Sequence, residues 1–169
     1  MKRILLLASC LGLAACGQEA AAPAKKAAAP ATLPAGTYEV TATVKSLVST
    51  DKTPVPTFAK VGDTIATRGC VGADGLPEPE LLAAKGDTCQ IQNPYVRSGR
   101  MNVTLDCNRK GQGQVMTMLD GQYDAAGFTG TVTASSSFAG SGDYKLVEEI
   151  TARKVADQCT TGASGEAKS

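Results

Sequence analysis

Six cysteines and no histidine set the chemistry open to this 169-residue chain. Without histidine there is no Ser–His nucleophile and no imidazole ligand for a metal. Sulfur remains. Cys70, Cys89, Cys107 and Cys159 are spread through the body of the chain, an even number that suits two disulfides in an exported domain, with three connectivities open. The alternative use of four thiols is a metal site. Oxidation outside the cytoplasm and the absence of any Cys-x-x-Cys argue against it, so no metal ligands and no cofactor are expected. Met101, Met116 and Met118 suggest a thioether site for Cu(I), set against the plainer reading that flexible Met fills gaps in a core. Asp74, Glu78 and Glu80 invite a carboxylate-pair mechanism. Their position in a loop and the first turn of a short helix explains them without one. Gly111-Gln112-Gly113 precedes a strand and not a helix, so it reads as a turn and not a phosphate cradle.

The other two cysteines, Cys10 and Cys16, lie in the leader. Lys2 and Arg3 form a basic start, and Ile4 to Leu13 form an apolar run. That run is too short to cross a bilayer, which takes about 20 residues, and fits a secretory signal. Gly12-Leu13-Ala14-Ala15-Cys16-Gly17 closes the run and resembles the lipobox of bacterial lipoproteins, in which the cysteine becomes the lipid-bearing N-terminus. Leu7-Ala8-Ser9-Cys10 fits the same triplet, but cutting there leaves only Ile4 to Leu7 as apolar core. Residues 1–15 are therefore expected to be a signal peptide, with Cys16 carrying diacylglyceryl and acyl lipid. The plainer reading is a cleaved signal with an incidental cysteine. Each buried lipid methylene contributes about 0.8 kcal/mol, so several chains make a lasting anchor. Gly17 stands where an aspartate signals inner-membrane retention, which points to the outer membrane, inner leaflet, facing the periplasm.

Of the 17 basic residues Lys2 and Arg3 leave with the leader, and the remaining 15 face 16 acidic ones. That balance offers no footprint for nucleic acid. Residues 16–35 are rich in Ala and Pro, with Pro23, Pro30 and Pro34 breaking any helix, and read as a tether. Residues 160–169 are small and polar and read as a frayed, disordered tail. Residues 36–159 remain as one domain.

Period-two alternation runs through that domain. Tyr38, Val40, Ala42 and Val44 share one face of a first strand, and Asp63 to Val71 forms a second after a Pro-rich loop. Pro77 to Lys85 is expected to be one short helix, with proline in its first turn and Gly86 ending it. Cys89, Ile91 and Tyr95 then alternate on a third strand, and Met101, Val103, Leu105 and Cys107 on a fourth, about a turn at Ser98-Gly99. A turn centred on Ser98 sets Cys89 opposite Cys107, Ile91 opposite Leu105 and Tyr95 opposite Met101. The register that buries the apolar face also joins two sulfurs, which leaves Cys70 for Cys159. Gln114 to Tyr123, Phe128 to Ala134 and Asp143 to Val155 complete the set, with a turn at Asp124 to Gly127 and small Gly130 leaving room for a ring. The expected fold is all-β and mainly antiparallel, a seven-stranded meander curling to a half-open or closed barrel.

Several of these positions carry a resemblance. Gly36-Thr37-Tyr38-Glu39-Val40, Cys70-Val71 before a Pro- and Ala-rich helix, the Cys89 and Cys107 hairpin, Phe128-Thr129-Gly130-Thr131, and Cys159 after Ala152-Arg153-Lys154 together resemble a Gram-negative family, domain of unknown function three-six-one-seven. The chain departs from that pattern over residues 46–61, which lack Met and Gly richness, and over Lys154 to Asp157. The resemblance implies the cell envelope and no established activity.

The functional expectation is a lipid-anchored, non-catalytic binding or structural module. It is held to the membrane by its anchor and meets an envelope protein as partner. The alternative is a carrier with a small apolar ligand inside the curled sheet, lined by Tyr38, Tyr95, Tyr123, Phe128 and Tyr144. The plain reading of those rings is core packing. An enzyme ranks last, because acid–base catalysis without histidine needs tuned carboxylates that the pattern does not reveal.

Overall fold

In the computed structural model, residues 29–55 and 59–159 are described. Seven strands make one antiparallel sheet: β1 Gly36–Ser49, β2 Thr64–Val71, β3 Asp87–Arg97, β4 Arg100–Arg109, β5 Gly113–Tyr123, β6 Gly127–Phe138 and β7 Tyr144–Ala156. Their spatial order is β2-β1-β7-β6-β5-β4-β3. Neighbours in sequence are neighbours in space everywhere except between β2 and β3, which form the two edges. The early and late parts of the chain are joined instead by β1 against β7, in a register running from Thr37↔Ala156 to Ser49↔Tyr144.

The sheet is a curled half-barrel and not a closed one, and strand number explains why. Six successive antiparallel pairings leave β2 and β3 pointing the same way. A wholly antiparallel ring closes only with an even count, because each step reverses direction. The chain must then travel back from the end of β2 to the start of β3, and residues 72–86 make that journey through the open seam. Leu81 and Leu82 are buried there, Glu78 N–H donates to Cys70 O at 2.8 Å, and Val71 bridges Pro77. Gly69 lets this segment approach, since a Cβ there would stand 2.9 Å from Leu81 Cδ2.

The helix expected over Pro77 to Lys85 is a single 3-10 turn, Pro79–Leu81. Pro79 confines Glu78 before it to extended backbone (φ −58°, ψ 142°), so no earlier turn can form. Too few residues remain before Gly86 to recover the cost of helix nucleation.

The β3–β4 register begins as expected and then slips. Cys89↔Cys107 and Ile91↔Leu105 pair as the alternation demands, but past Gln92 a bulge moves the partners by one. Tyr95 therefore faces Asn102, not Met101, and Val96 takes the inner position against Met101. The cause is local: Asn93 adopts φ 44° and Pro94 has no N–H to give the ladder. The turn itself is the two-residue type favoured by strand twist, with positive φ at both Ser98 (51°) and Gly99 (79°).

Inward-facing side chains fill the curl. Tyr38, Val44, Val103, Leu105, Val115, Leu119 and Val132 are essentially inaccessible. Gly121 faces Gly130 on adjacent strands, where a Cβ on Gly130 would meet Leu119 Cδ1 at 2.8 Å. The space beside Gly130 is thus taken by backbone and Leu119.

Candidate functional site

Three regions gather polar or reactive groups. At one end of the half-barrel lie the β3–β4 and β5–β6 turns, and across it runs the last part of the Ala/Pro-rich segment. Leu33 is only 1% exposed and belongs to the core. Tyr38 Oη donates to Pro34 O at 2.7 Å, Tyr123 Oη donates to Ala31 O at 2.9 Å, and Ser98 N–H donates to the same carbonyl. Asp124 accepts from the N–H groups of Ala126 and Gly127 and fixes the neighbouring turn.

This end holds three of the five rings named from sequence. Tyr38 and Phe128 pack with centroids 5.9 Å apart, and Tyr123 is buried beside them. Burial pushes the Tyr38 hydroxyl up to about 12, with the charge of Asp124 adding to the effect. Tyr144 is buried at the opposite end, 6.0 Å from Phe138. Tyr95 is 52% exposed on the outer face, a direct result of the β3 bulge. The structure thus brings Tyr38, Tyr123 and Phe128 together and sets Tyr95 and Tyr144 apart from them.

The opposite end carries a charged cluster that alternation did not announce. Arg109 grips Asp87 with two hydrogen bonds, Nε–Oδ1 at 2.7 Å and Nη2–Oδ2 at 2.8 Å. Asp87's side chain is 1% exposed. The guanidinium stands 5.7 Å from the ring centres of both Phe138 and Tyr144. The Asp87 hydrogen bonds hold Arg109 above its usual range. Glu148 lies in the same inward file of β7 as Tyr144, Leu146 and Ile150, and is 8% exposed. Desolvation raises its pKa, because the burial that stabilises its neighbours opposes its charge. Asp51 ties two loops at this end, accepting from Thr53 N–H and Oγ1 and from the N–H groups of Gly142 and Asp143. Those bonds, Thr53's side chain first, hold its carboxyl well below the usual carboxylate range.

The third region is the seam. Cys70 and Cys159 are joined there with Cα atoms 5.5 Å apart, and Cys89 with Cys107 at 4.0 Å on the inner face. Cys89–Cys107 is the pairing the hairpin register favoured, and Cys70–Cys159 the one it left over. Glu78 lies against the first bridge, its Oε2 accepting from Cys70 N–H at 3.0 Å. A cavity of about 260 Å3 opens beside them, lined by Pro77, Pro79, Ile91 and both cysteines. Glu78 therefore serves the end of β2, where the sequence assigned it to a helix's first turn. Its place between two prolines was the available signal.

The remaining candidates disperse. Met101 is buried inside while Met116 and Met118 are exposed outside, so the three thioethers share no site. Gly111 takes φ 75° in the β4–β5 turn, as a turn glycine. Cys16 and residues 160–169 lie outside the described residues.

A family model described as Protein of unknown function (DUF3617) matches residues 33–159. The match starts at Leu33, the first buried residue among those described. No curated protein and no solved structure matches the chain.

Proposed function

We propose, for a chain that belongs to the DUF3617 family, the role of a lipid-anchored module of the outer envelope that binds an envelope protein without catalysing a reaction. The observation that carries this reading is the pairing of all four body cysteines, Cys70 with Cys159 and Cys89 with Cys107, behind a leader that ends in Leu13-Ala14-Ala15-Cys16. Paired sulfur belongs to an oxidising compartment, and a lipobox leads there. The lipid on Cys16 then holds the domain at the inner leaflet, facing the periplasm.

The path of the chain supports an orientation. The tether reaches the domain at the end carrying Ser98 and Tyr123, so that end faces the membrane. The Arg109–Asp87 end and its loops face outward to a partner. A rigid disulfide-stapled sheet presents those loops without the ordering cost that weakens flexible binders.

The test is Cys16→Ser with fractionation of the envelope. The variant is expected in the soluble periplasmic fraction, with the parent in the membrane. A variant that still sediments with membranes would overturn the anchor. Crosslinking from the outward loops of the anchored parent is expected to capture a discrete envelope protein, and capture only from the Ser98–Tyr123 end would overturn the orientation.

A further inference from the structure

Among the described residues, sulfur and carboxylate converge at one place. Sγ of Cys70, Sγ of Cys159 and a carboxylate oxygen of Glu78 all lie within 4.8 Å of one another. They come from three segments: the end of β2, the stretch after β7, and the extended step before the 3-10 turn. The apolar cavity beside them is walled by Pro77, Pro79 and Ile91. We propose that this is a two-state site. Oxidised, it is the Cys70–Cys159 bridge; reduced, it holds a borderline-soft divalent cation of the Zn2+ kind through both thiolates and Glu78, with the fourth position open to the cavity.

The geometry suits that ligand set. Tetrahedral zinc takes thiolate at about 2.3 Å and carboxylate oxygen at about 2.0–2.2 Å, which puts donor atoms under about 4 Å apart. The Glu78 carboxylate oxygen already lies within 4.8 Å of both sulfurs, and once the sulfur–sulfur bond is broken the two thiolates, on Cα atoms 5.5 Å apart, need only part to that spacing to share one ion. Glu78 is fastened in place. Its Oε2 accepts from Cys70 N–H at 3.0 Å and its own N–H donates to Cys70 O at 2.8 Å. A carboxylate so held is a preorganised third ligand. The other bridge is built differently: Cys107 is 1% exposed on the inner face, and that pair joins no such set among the described residues.

Opening the bridge requires a reductant, and a dithiol is the class that fits. A dithiol thiolate attacks the exposed Cys159 Sγ, the sulfur–sulfur bond breaks, and Cys70 leaves as thiolate. The reductant's second thiol then resolves the mixed disulfide. Two electrons and two protons pass to Cys70 and Cys159, and the dithiol becomes a disulfide. The cation next displaces the two thiol protons into water. This step does not depend on where the chain is anchored, so it fails or stands apart from the lipid reading.

The test uses the full chain as isolated, before and after treatment with one equivalent of a dithiol. Zn2+ is followed by native mass spectrometry and Cd2+ by its thiolate absorbance in the ultraviolet. Expected are no specific uptake by the oxidised chain and one ion per reduced chain. Among the four body cysteines, alkylation should mark Cys70 and Cys159 only, and the ion should block it. Glu78→Gln keeps an acceptor for Cys70 N–H and should weaken binding about tenfold or more. Four results overturn the proposal: equal binding by the oxidised chain, unchanged affinity in E78Q, opening of Cys89–Cys107 first, or loss of the β-sheet circular dichroism on reduction.

Discussion

Tyr123, at the end of β5, donates its phenolic hydrogen to the carbonyl of Ala31 at 2.9 Å, and so fastens a segment that precedes β1 across the mouth of the sheet. Ala31 accepts from Ser98 as well, and Tyr38 takes Pro34. Between them Leu33 is pressed into the core at 1% exposure. The segment that looked like pure linker is, at its end, the lid of the domain.

Leu33→Ala should therefore destabilise the domain by about 2–5 kcal/mol, the range for a buried leucine that leaves a cavity. Tyr123→Phe keeps the ring and removes one hydrogen bond, a loss of about 1 kcal/mol. Urea unfolding of the two variants measures both. Equal, negligible losses would show that the segment merely rests on the surface.

The two bridges should differ in what they stabilise. Cys89 and Cys107 are 18 residues apart, and replacing both with Ala should cost about 3 kcal/mol in the chain-entropy account. Cys70 and Cys159 are 89 apart, and the same replacement should cost about 4.5 kcal/mol. Thermal unfolding of the two double variants gives the order, and a reversed order would mean that native-state packing, not loop length, decides.

Two carboxylates should give stability opposite slopes with pH. Glu148 has its pKa raised by burial, so in the window above the ordinary 4.5 the folded state keeps a proton the unfolded state has lost. Its contribution is complete below that value and falls away as pH rises through the folded value. Asp51 is held low by its hydrogen bonds, so its contribution is complete above the ordinary 3.8 and falls away as pH drops. Glu148→Gln should thus stabilise the domain at neutral pH, and Asp51→Asn should flatten the acid limb. Denaturation series across pH 2–8 check both signs, roughly spanning the carboxylate range.

The Arg109–Asp87 pair offers a fourth test. Asp87→Ala leaves a largely buried guanidinium beside two rings without its carboxylate, and should cost about 3–5 kcal/mol. Replacing Arg109 with Met as well should recover much of that loss, because the unpaired charge disappears with it. A double-mutant cycle in guanidinium chloride reads the coupling, and simple additivity would contradict the pairing.

Much of this architecture was legible where neighbours in sequence are neighbours in space. The Cys89–Cys107 register emerged from alternation and a turn alone, because a hairpin needs nothing distant. The slip at Asn93-Pro94 carried its own warning, a proline inside a strand. Glu148 interrupts the file Tyr144, Leu146, Ile150, a signal of a buried acid that the reading of the sequence passed over. Other features had no local signature. Leu33 was hidden in Ala/Pro composition, since one apolar side chain has no period. The joining of β1 to β7 and the open seam follow from strand count and direction, which only the assembled sheet expresses.

The pairing of β1 with β7 also makes the two ends of the domain depend on each other. Residue 37 meets residue 156, so the first strand to be synthesised has no partner on its far side until the last one arrives. Such distant pairing makes folding slow compared with that of local hairpins. The hairpins on either side can zip as they are made, yet the half-barrel is whole only when the two ends of the domain meet, so a chain cut short of β7 leaves β1 with one bare edge.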